Sequence, residues 1–513
     1  MDTDHSRAAL ASALALCAVL AACKAAGPDF HAPRTAAPPA WAAASSPEME
    51  RLASRPVPRA FDGRSWWSVF KDPILDGLVD DAMRQNLDLQ TAALRIQEAR
   101  AQRGAAAAQG RPSVSGNGIA GRQRSSENGL LSSLAGGGAA TQAGGAAAPA
   151  PSPYSDLYQA GFDATWELDL WGKARRGVEA ADASIESAEQ ARGSAAISLT
   201  AEVARAYLQL RAAQRQRAIV LADIVDQQRL LQLTESRSRN GFSAKADAVA
   251  QQAEVSSAEA RLPPIDEDID RVQNQLALLL ALPPGALAGR LGAAPGAAVA
   301  LPPEVPVGLP GDLLRRRPDV MKSEADLHAA TAKLGQAQAQ LFPSITLGAF
   351  GGLQATHADD LVDWASRFWA AGLQVSLPIF EGGKLKAQVR TADVQMQEAA
   401  LGYRAAVLSA FHDANHALVA YAEEQRHASA IDRQLADARR SRDLMRSRWH
   451  AGFVSQIEAI DSERRLHQAE LQALQGEVAA STDLVALYKA LGGDWDAGAH
   501  ATSTQRGAGA TAP

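Results

Sequence analysis

Cysteine is nearly absent from this chain. Only two of its 513 residues are cysteine, Cys17 and Cys23, and both lie near the start. Cys17 falls inside Leu10 to Ala22, an apolar run of signal-peptide length that is too short for a permanent membrane helix. If that run is cleaved, Cys23 is the only cysteine of the mature protein, and an intrachain disulfide is excluded. A large excess of charge of one sign is also missing. A formal net charge of −6 offers no electrostatic case for a nucleic-acid partner. Downstream of residue 23 nothing approaches the ~18 unbroken apolar residues of a membrane helix, so any crossing of a bilayer falls to strands. Proline is absent between Trp171 and Gly241, a stretch of ~68 residues that as one helix spans ~100 Å.

The chain does contain a long internal repeat. Gly161-Phe162-Asp163-Ala164-Thr165-Trp166-Glu167-Leu168-Asp169-Leu170-Trp171-Gly172-Lys173 aligns with the stretch from Gly372 to Lys384, at an offset of 211 residues. Asn240-Gly241-Phe242 meets Ala451-Gly452-Phe453 at the same offset. Upstream, Arg111-Pro112-Ser113-Val114 pairs with Phe342-Pro343-Ser344-Ile345 at an offset of 231, so the first copy holds some twenty extra loop residues. Two long copies indicate a duplicated architecture of strand, very long helix, glycine turn and second helix.

Four segments alternate with the period of a strand. Between Tyr158 and Leu170 the apolar set Tyr158, Ala160, Phe162, Ala164, Trp166, Leu168 and Leu170 alternates with the polar set Gln159, Asp163, Thr165, Glu167 and Asp169. Ala371 to Ile379 and Ile345 to Leu353 do the same, and Val114 to Arg122 more weakly. A soluble half-buried sheet alternates identically. Two features favour barrel strands in an outer membrane. Trp166, Trp171, Trp364 and Trp369 lie where an aromatic girdle belongs, and the joining segment Ser125 to Pro153 is a Gly-, Ala- and Ser-rich loop. Four strands cannot close a barrel, which needs about eight, so closure must be shared between chains; three copies supply twelve strands.

The second long proline-free stretch, Gly383 to Ala451, carries a 4-3-4-3 seam of Val407, Phe411, Ala414, Leu418 and Tyr421. Gly241 and Gly452 sit where C′ glycines end helices. Return helices are expected over Ser243 to Leu282, bent at Pro263-Pro264, and over Ser455 to Leu491. Further helices are expected over Asp72 to Gln109 and Pro310 to Leu341. The boundaries that follow are a signal peptide at 1–22, an extension at 23–60, repeats at 61–282 and 310–495, a linker at 283–309 and a disordered tail at 496–513.

Leu20-Ala21-Ala22-Cys23 looks like a bacterial lipobox, which implies a lipid on Cys23 and, with Lys24 next, outer-membrane sorting. Trp66-Trp67 with Phe70-Lys71-Asp72-Pro73-Ile74-Leu75, Asn86-Leu87-Asp88-Leu89, the Gly161 to Lys173 stretch, Arg316-Arg317-Pro318-Asp319-Val320 and Tyr488-Lys489-Ala490-Leu491-Gly492-Gly493 resemble signature stretches of the TolC-type outer-membrane efflux channels, closest to their lipoprotein branch. The resemblance covers about residues 61 to 495. It implies a mainly α fold with membrane β: a homotrimer with a twelve-stranded barrel of four strands per chain, above a long α-helical periplasmic barrel. It implies a passive conduit for small molecules rather than an enzyme. The partners would be a periplasmic adaptor (membrane fusion) protein, an inner-membrane RND-type transporter and outer-membrane lipid, and no cofactor is implied beyond the covalent lipid. A protein-secretion conduit of the same fold and a periplasmic coiled-coil adaptor are the alternatives.

The same resemblance marks working residues around the hairpin turns Gly241 and Gly452. Glu458 and Asp461, three apart on one helical face, take the places of two acids that line the periplasmic gate. Threefold symmetry would gather six carboxylates into a cation-favouring ring. Acids in a first helical turn also simply complement the helix dipole. Asp247, the repeat equivalent of Glu458, and Trp449 fall where the family places contacts that hold the gate shut, and Val454 replaces the family's arginine. His412 and His416, at i and i+4, are the only hint of a zinc helix. They fall in the Phe411–Leu418 seam with no third ligand in view, so no metal site is expected.

Overall fold

The computed structural model describes residues 25–42, 49–59, 65–124, 126, 154–292 and 301–493. Cys23, the signal peptide, the tail and most of the Ser125 to Pro153 loop lie outside them. In chain order the strands are β1 (Arg55–Val57), β2 (Ser113–Arg124), β3 (Tyr154–Glu167), β4 (Glu304–Pro306), β5 (Ser344–Ala355) and β6 (Arg367–Ser376). The helices are α1 (Pro73–Gln85), α2 (Leu87–Ala108), α3 (Lys173–Arg239), α4 (Lys245–Glu259), α5 (Leu262–Leu279), α6 (Ala288–Leu291), α7 (Leu313–Arg316), α8 (Pro318–Ala339), α9 (Lys384–His450) and α10 (Gln456–Ala490). Two compact units divide the chain. One is made of Met1–His31, Ala99–Ser184 and Leu327–Ala399, the other of Ala32–Glu98, Ile185–Asp326 and Ala400–Pro513.

The first unit holds an antiparallel sheet in the order β2-β3-β5-β6. Its register sets Val114 beside Ala164, Trp166 beside Leu347 and Leu347 beside Leu373. Phe162, Leu373, Val375 and Trp369 on that face are all exposed. Across the opposite face Ser115 Oγ donates to Asp163 at 2.7 Å, Asn117 donates to the same carboxylate, and the Ser113 and Thr165 hydroxyls lie 2.8 Å apart. The period-two pattern thus gives one bare apolar face and an opposite face that carries these hydrogen bonds together with Ile119 and the Phe350–Phe368 pair. β3 and β5 approach so closely that a Cβ on Gly352 would lie 2.3 Å from the Ala160 carbonyl oxygen, so glycine is required there. The strands end earlier than the alternation suggests. β3 stops at Glu167 and β6 at Ser376, two residues before Pro378, which has no N–H to extend a ladder. Below β3, Trp171 stacks on Phe342 at 4.8 Å and donates its indole N–H to the Pro343 carbonyl at 2.7 Å.

In the second unit the long helices pair with their return helices around small cores. Val220, Ile224, Ala258 and Ile265 cluster between α3 and the return helices α4 and α5, and Leu435, Leu466 and Ala469 cluster between α9 and α10. Ile224 and Leu435 are one repeat apart, as are Ala258 and Ala469, so the duplication extends to the packing. Both long helices run 67 residues, as the proline-free stretches indicate.

Three expected helices are interrupted. The first return helix breaks at Ala260-Arg261, because Pro263 and Pro264 occupy the first turn of a new helix rather than bending one. Asn86 separates α1 from α2. Its side-chain oxygen accepts from the N–H groups of Asp88 and Leu89 while its amide donates to the Leu279 carbonyl at 2.9 Å. Arg317, extended before Pro318, separates α7 from α8. The parallel pairing of β1 with β4 joins segments some 250 residues apart and had no periodic signal.

The signature stretches prove to be clamps. Asp72 caps α1 through Ile74 N–H at 2.9 Å and also accepts the Tyr207 hydroxyl at 2.5 Å. Trp66, 2% exposed, packs on Tyr488 at 5.4 Å. Arg317 donates to both oxygens of Asp319 at 3.0 and 2.6 Å, to Asp413 at 3.0 Å, and to the carbonyls of Ala410 and Ala490. That last acceptor is a terminal carbonyl of α10, which a cation suits. Asp413, the acid between His412 and His416, is therefore engaged by an arginine.

Candidate functional site: the glycine turns and their acids

Helix α3 ends in a left-handed glycine. Gly241, at φ 75°, donates to Ser238 O at 3.1 Å, and Phe242 N–H reaches back to Arg237 O at 2.8 Å. Helix α9 ends in the same way. Gly452, at φ 78°, donates to Trp449 O, and Phe453 N–H to Arg448 O, both at 2.9 Å. These paired bonds form the Schellman closure. An added Cβ would meet nothing within 4 Å at either glycine, so backbone conformation alone demands glycine there. The residue after each glycine often turns inward against its helix, but Phe242 and Phe453 are 76% and 77% exposed.

The return helices begin with related caps. Ser455 Oγ accepts from Glu458 N–H at 3.3 Å, and Glu458 Oε2 accepts from the Ser455 N–H at 2.7 Å and its hydroxyl at 2.8 Å. One repeat earlier, Asp247 accepts from Ala244 N–H at 3.1 Å; Ala244 has no oxygen to return, so only half the box forms. The sequence Ser455-Gln456-Ile457-Glu458 carried this signal directly. The hydrogen bond from the Ser455 N–H, then that from its hydroxyl, holds the Glu458 carboxyl below its ordinary range.

Asp461 has a different environment. Arg464 donates to one oxygen at 2.8 Å, and Arg465 is ion-paired with the other at 2.7 Å. It lines a cleft of about 440 Å³ between the two hairpins, with Asp247, Arg237, Gln251, Phe242 and Ile457. Asp461 and Asp247 thus line one cleft, while Glu458 turns to its cap. Trp449 packs on neighbouring His450 at 4.7 Å. His412 and His416 are exposed.

A model of the outer membrane efflux protein family matches residues 78–282 and 309–493. The pyoverdine export outer membrane protein OpmQ of Pseudomonas aeruginosa is 31% identical over 451 residues, 88% of this chain and 92% of that protein. The probable outer membrane lipoprotein SilC of Salmonella typhimurium is 26% identical over 93% of this chain and 97% of its own. Among solved structures, the outer-membrane channel OprN superposes with a TM-score of 0.80 at 31% identity, over 91% of this chain and 99% of that one. With two family matches that follow the duplicated repeat, and relatives aligned over nearly their whole length, this chain belongs to the outer membrane efflux protein family of TolC-type channels.

Proposed function

We propose that this chain is the passive outer-membrane conduit of a tripartite pump that exports small molecules, working as a homotrimer with a periplasmic adaptor and an inner-membrane RND-type transporter. The observation that carries this reading is the β2-β3-β5-β6 sheet. Its strands of 10 to 14 residues are long enough to cross a bilayer, and it is apolar on one face and open at β2 and β6 among the described residues. Unpaired strand edges cost several kcal/mol per group in lipid, and the barrel must close with sheets from other chains. Three sheets make twelve strands, within the range of membrane barrels. The family consists of transport channels rather than enzymes, and a soluble coiled-coil adaptor has no use for such a sheet.

In that trimer the glycine turns form the narrow periplasmic end. Asp461 from each chain lines the gate, Glu458 borders it, and Asp247 and Trp449 contribute the contacts around it. Lipid on Cys23 anchors the N-terminus, in keeping with the lipoprotein name of SilC. Light scattering on the detergent-solubilised protein tests shared closure. Three chains per particle are expected, and a monodisperse monomer with intact β content refutes it. Palmitate labelling that persists in Cys23→Ser would remove the anchor assignment.

A further inference from the structure

A buried imidazole lies between α3 and α10, and nothing in the transport reading uses it. His467, with 10% of its side chain exposed, points Nε2 toward Asp226 Oδ2 at 3.7 Å and Asp223 Oδ1 at 3.9 Å. Its Nδ1 lies 3.4 Å from Glu470 Oε2. Both ring nitrogens are buried and neither makes a well-formed hydrogen bond. The ring is held only by these longer ion-pair contacts to three acids, and a divalent cation shared with the neighbouring carboxylates would replace them with shorter bonds. One carboxylate oxygen each from Asp226 and Glu463 and one ring nitrogen of His467 all lie within 4.8 Å of one another.

We propose that Asp226, Glu463 and His467 form a binding site for a zinc-like divalent cation that ties α3 to α10. The donor set suits it, since zinc accepts imidazole nitrogen together with carboxylate oxygen and leaves a fourth position for water. Bonds of about 2.0–2.1 Å set tetrahedral ligand atoms about 3.3 Å apart. The Nε2–Asp226 separation is a few tenths of an ångström wider, within reach of a small rotation of a carboxylate that is 41% exposed. Glu470, 3.4 Å from Nδ1, stands where a metal-bound imidazole needs a carboxylate, and a small approach would let it take the Nδ1 proton in a hydrogen bond and so fix the tautomer.

The surrounding cations leave this set available. Arg261 lies 3.2 Å from Asp223, which keeps that acid outside the ligand set, and Arg439 lies 3.9 Å from Glu470. Arg442 is 3.7 Å from Glu463 but has a nearer partner in Asp443 at 2.9 Å. Among the described residues, His467 is the only cationic side chain within 4 Å of Asp226. The repeat equivalents of His467 and Glu463 are Ser256 and Gln252, so the site belongs to the second hairpin's own divergence and was not inherited by duplication.

The test is equilibrium dialysis of untagged, chelator-washed full-length protein against zinc alone, with the bound metal quantified. One zinc per chain is expected. His467→Gln and Glu463→Gln should each weaken binding at least tenfold, while His416→Gln should leave it unchanged. Cobalt in place of zinc should give visible absorption that disappears in His467→Gln. Where one variant fails to assemble, Asp226→Asn, at a partly exposed position, gives the same reading. Zinc held equally by both ligand variants, zinc lost in His416→Gln, or no stoichiometric zinc in the native protein would each overturn the site.

Discussion

Replacing Asp461 with Asn should move the channel's ion preference further than replacing Glu458 with Gln, and in the anionic direction. Six carboxylates around a pore suggest strong cation preference, but the structure places Arg464 and Arg465 on Asp461 at 2.8 and 2.7 Å. Two arginines per chain thus balance the two acids. Asp461→Asn leaves both guanidinium groups unopposed, and their side chains are 52% and 74% exposed. A unit charge about 4 Å from a permeating ion is worth ~1 kcal/mol in water-like surroundings, roughly a fivefold change in its occupancy. Three chains contribute together, while salt screens beyond about 8 Å.

Glu458→Gln keeps an amide oxygen that can still accept from the Ser455 N–H, so the cap survives while one charge is lost. Ser455→Ala is the converse: it keeps the charge and loses a helix cap worth about 1 kcal/mol. Reversal potentials in planar bilayers under a tenfold salt gradient, where full selectivity gives about 59 mV for a monovalent ion, separate the three variants. Asp461→Asn should shift most, toward anions; Glu458→Gln should shift less; Ser455→Ala should not shift. A reversal potential for Asp461→Asn equal to the native value would refute the placement of this acid and its arginines at the pore.

Arg317→Met should lower the temperature at which trimers dissociate on a denaturing gel. Asp319 and Asp413 are nearly half exposed and readily rehydrate, so the loss rests on the Ala410 and Ala490 carbonyls and comes to about 1–3 kcal/mol. Arg317→Lys should rescue it poorly, lacking the planar fork, and unchanged heat resistance in Arg317→Met would refute the clamp. The same contact is acid-sensitive. Burial raises the Asp319 carboxyl, but the Arg317 hydrogen bonds outweigh burial and hold it below its ordinary value, so its contribution is complete above about pH 4 and is lost as pH falls further. Gly452→Ala forces a Cβ into left-handed backbone at about 1–2 kcal/mol, whereas Gly452→Asn is milder. Hydrogen exchange at Phe453 should accelerate in the Ala variant alone, and equal exchange in both would remove the turn's conformational demand.

Much of this fold was legible because it is written in periods. Alternation marked the four sheet strands, missing proline marked both long helices, and the 211-residue offset marked the duplication. Features set by a single side chain choosing a distant partner were not legible. Asn86 reads as a helix-interior residue until Leu279 is placed beside it, and β1 has no pattern until β4 arrives. His467 carries no local signal because Asp226 is some 240 residues away, whereas His412 and His416 show a local spacing and are exposed. The capping role of Glu458 was the reverse case, a local signal overshadowed by the family's gate.

The two hairpins share a backbone plan and have diverged in their charges. The repeat equivalents of Asp461, Arg464 and Arg465 are Ala250, Ala253 and Glu254. Ala250 lines the same cleft as Asp461, so the second hairpin supplies the acid–arginine group and the first supplies a small residue facing it. Asp247 and Glu458 keep one capping position, yet only the second has a serine to complete its box. A trimer of such chains is close to sixfold in its helices and threefold in its charges. The first hairpin is charged too, with Arg237, Asp247 and Glu254 on the same cleft, so the two halves of the chain differ in where their charges stand and not in whether they have any. Duplication set the shared backbone plan, and divergence in the first turns of α10 placed an acid between two arginines where the first copy has Ala250, Ala253 and Glu254.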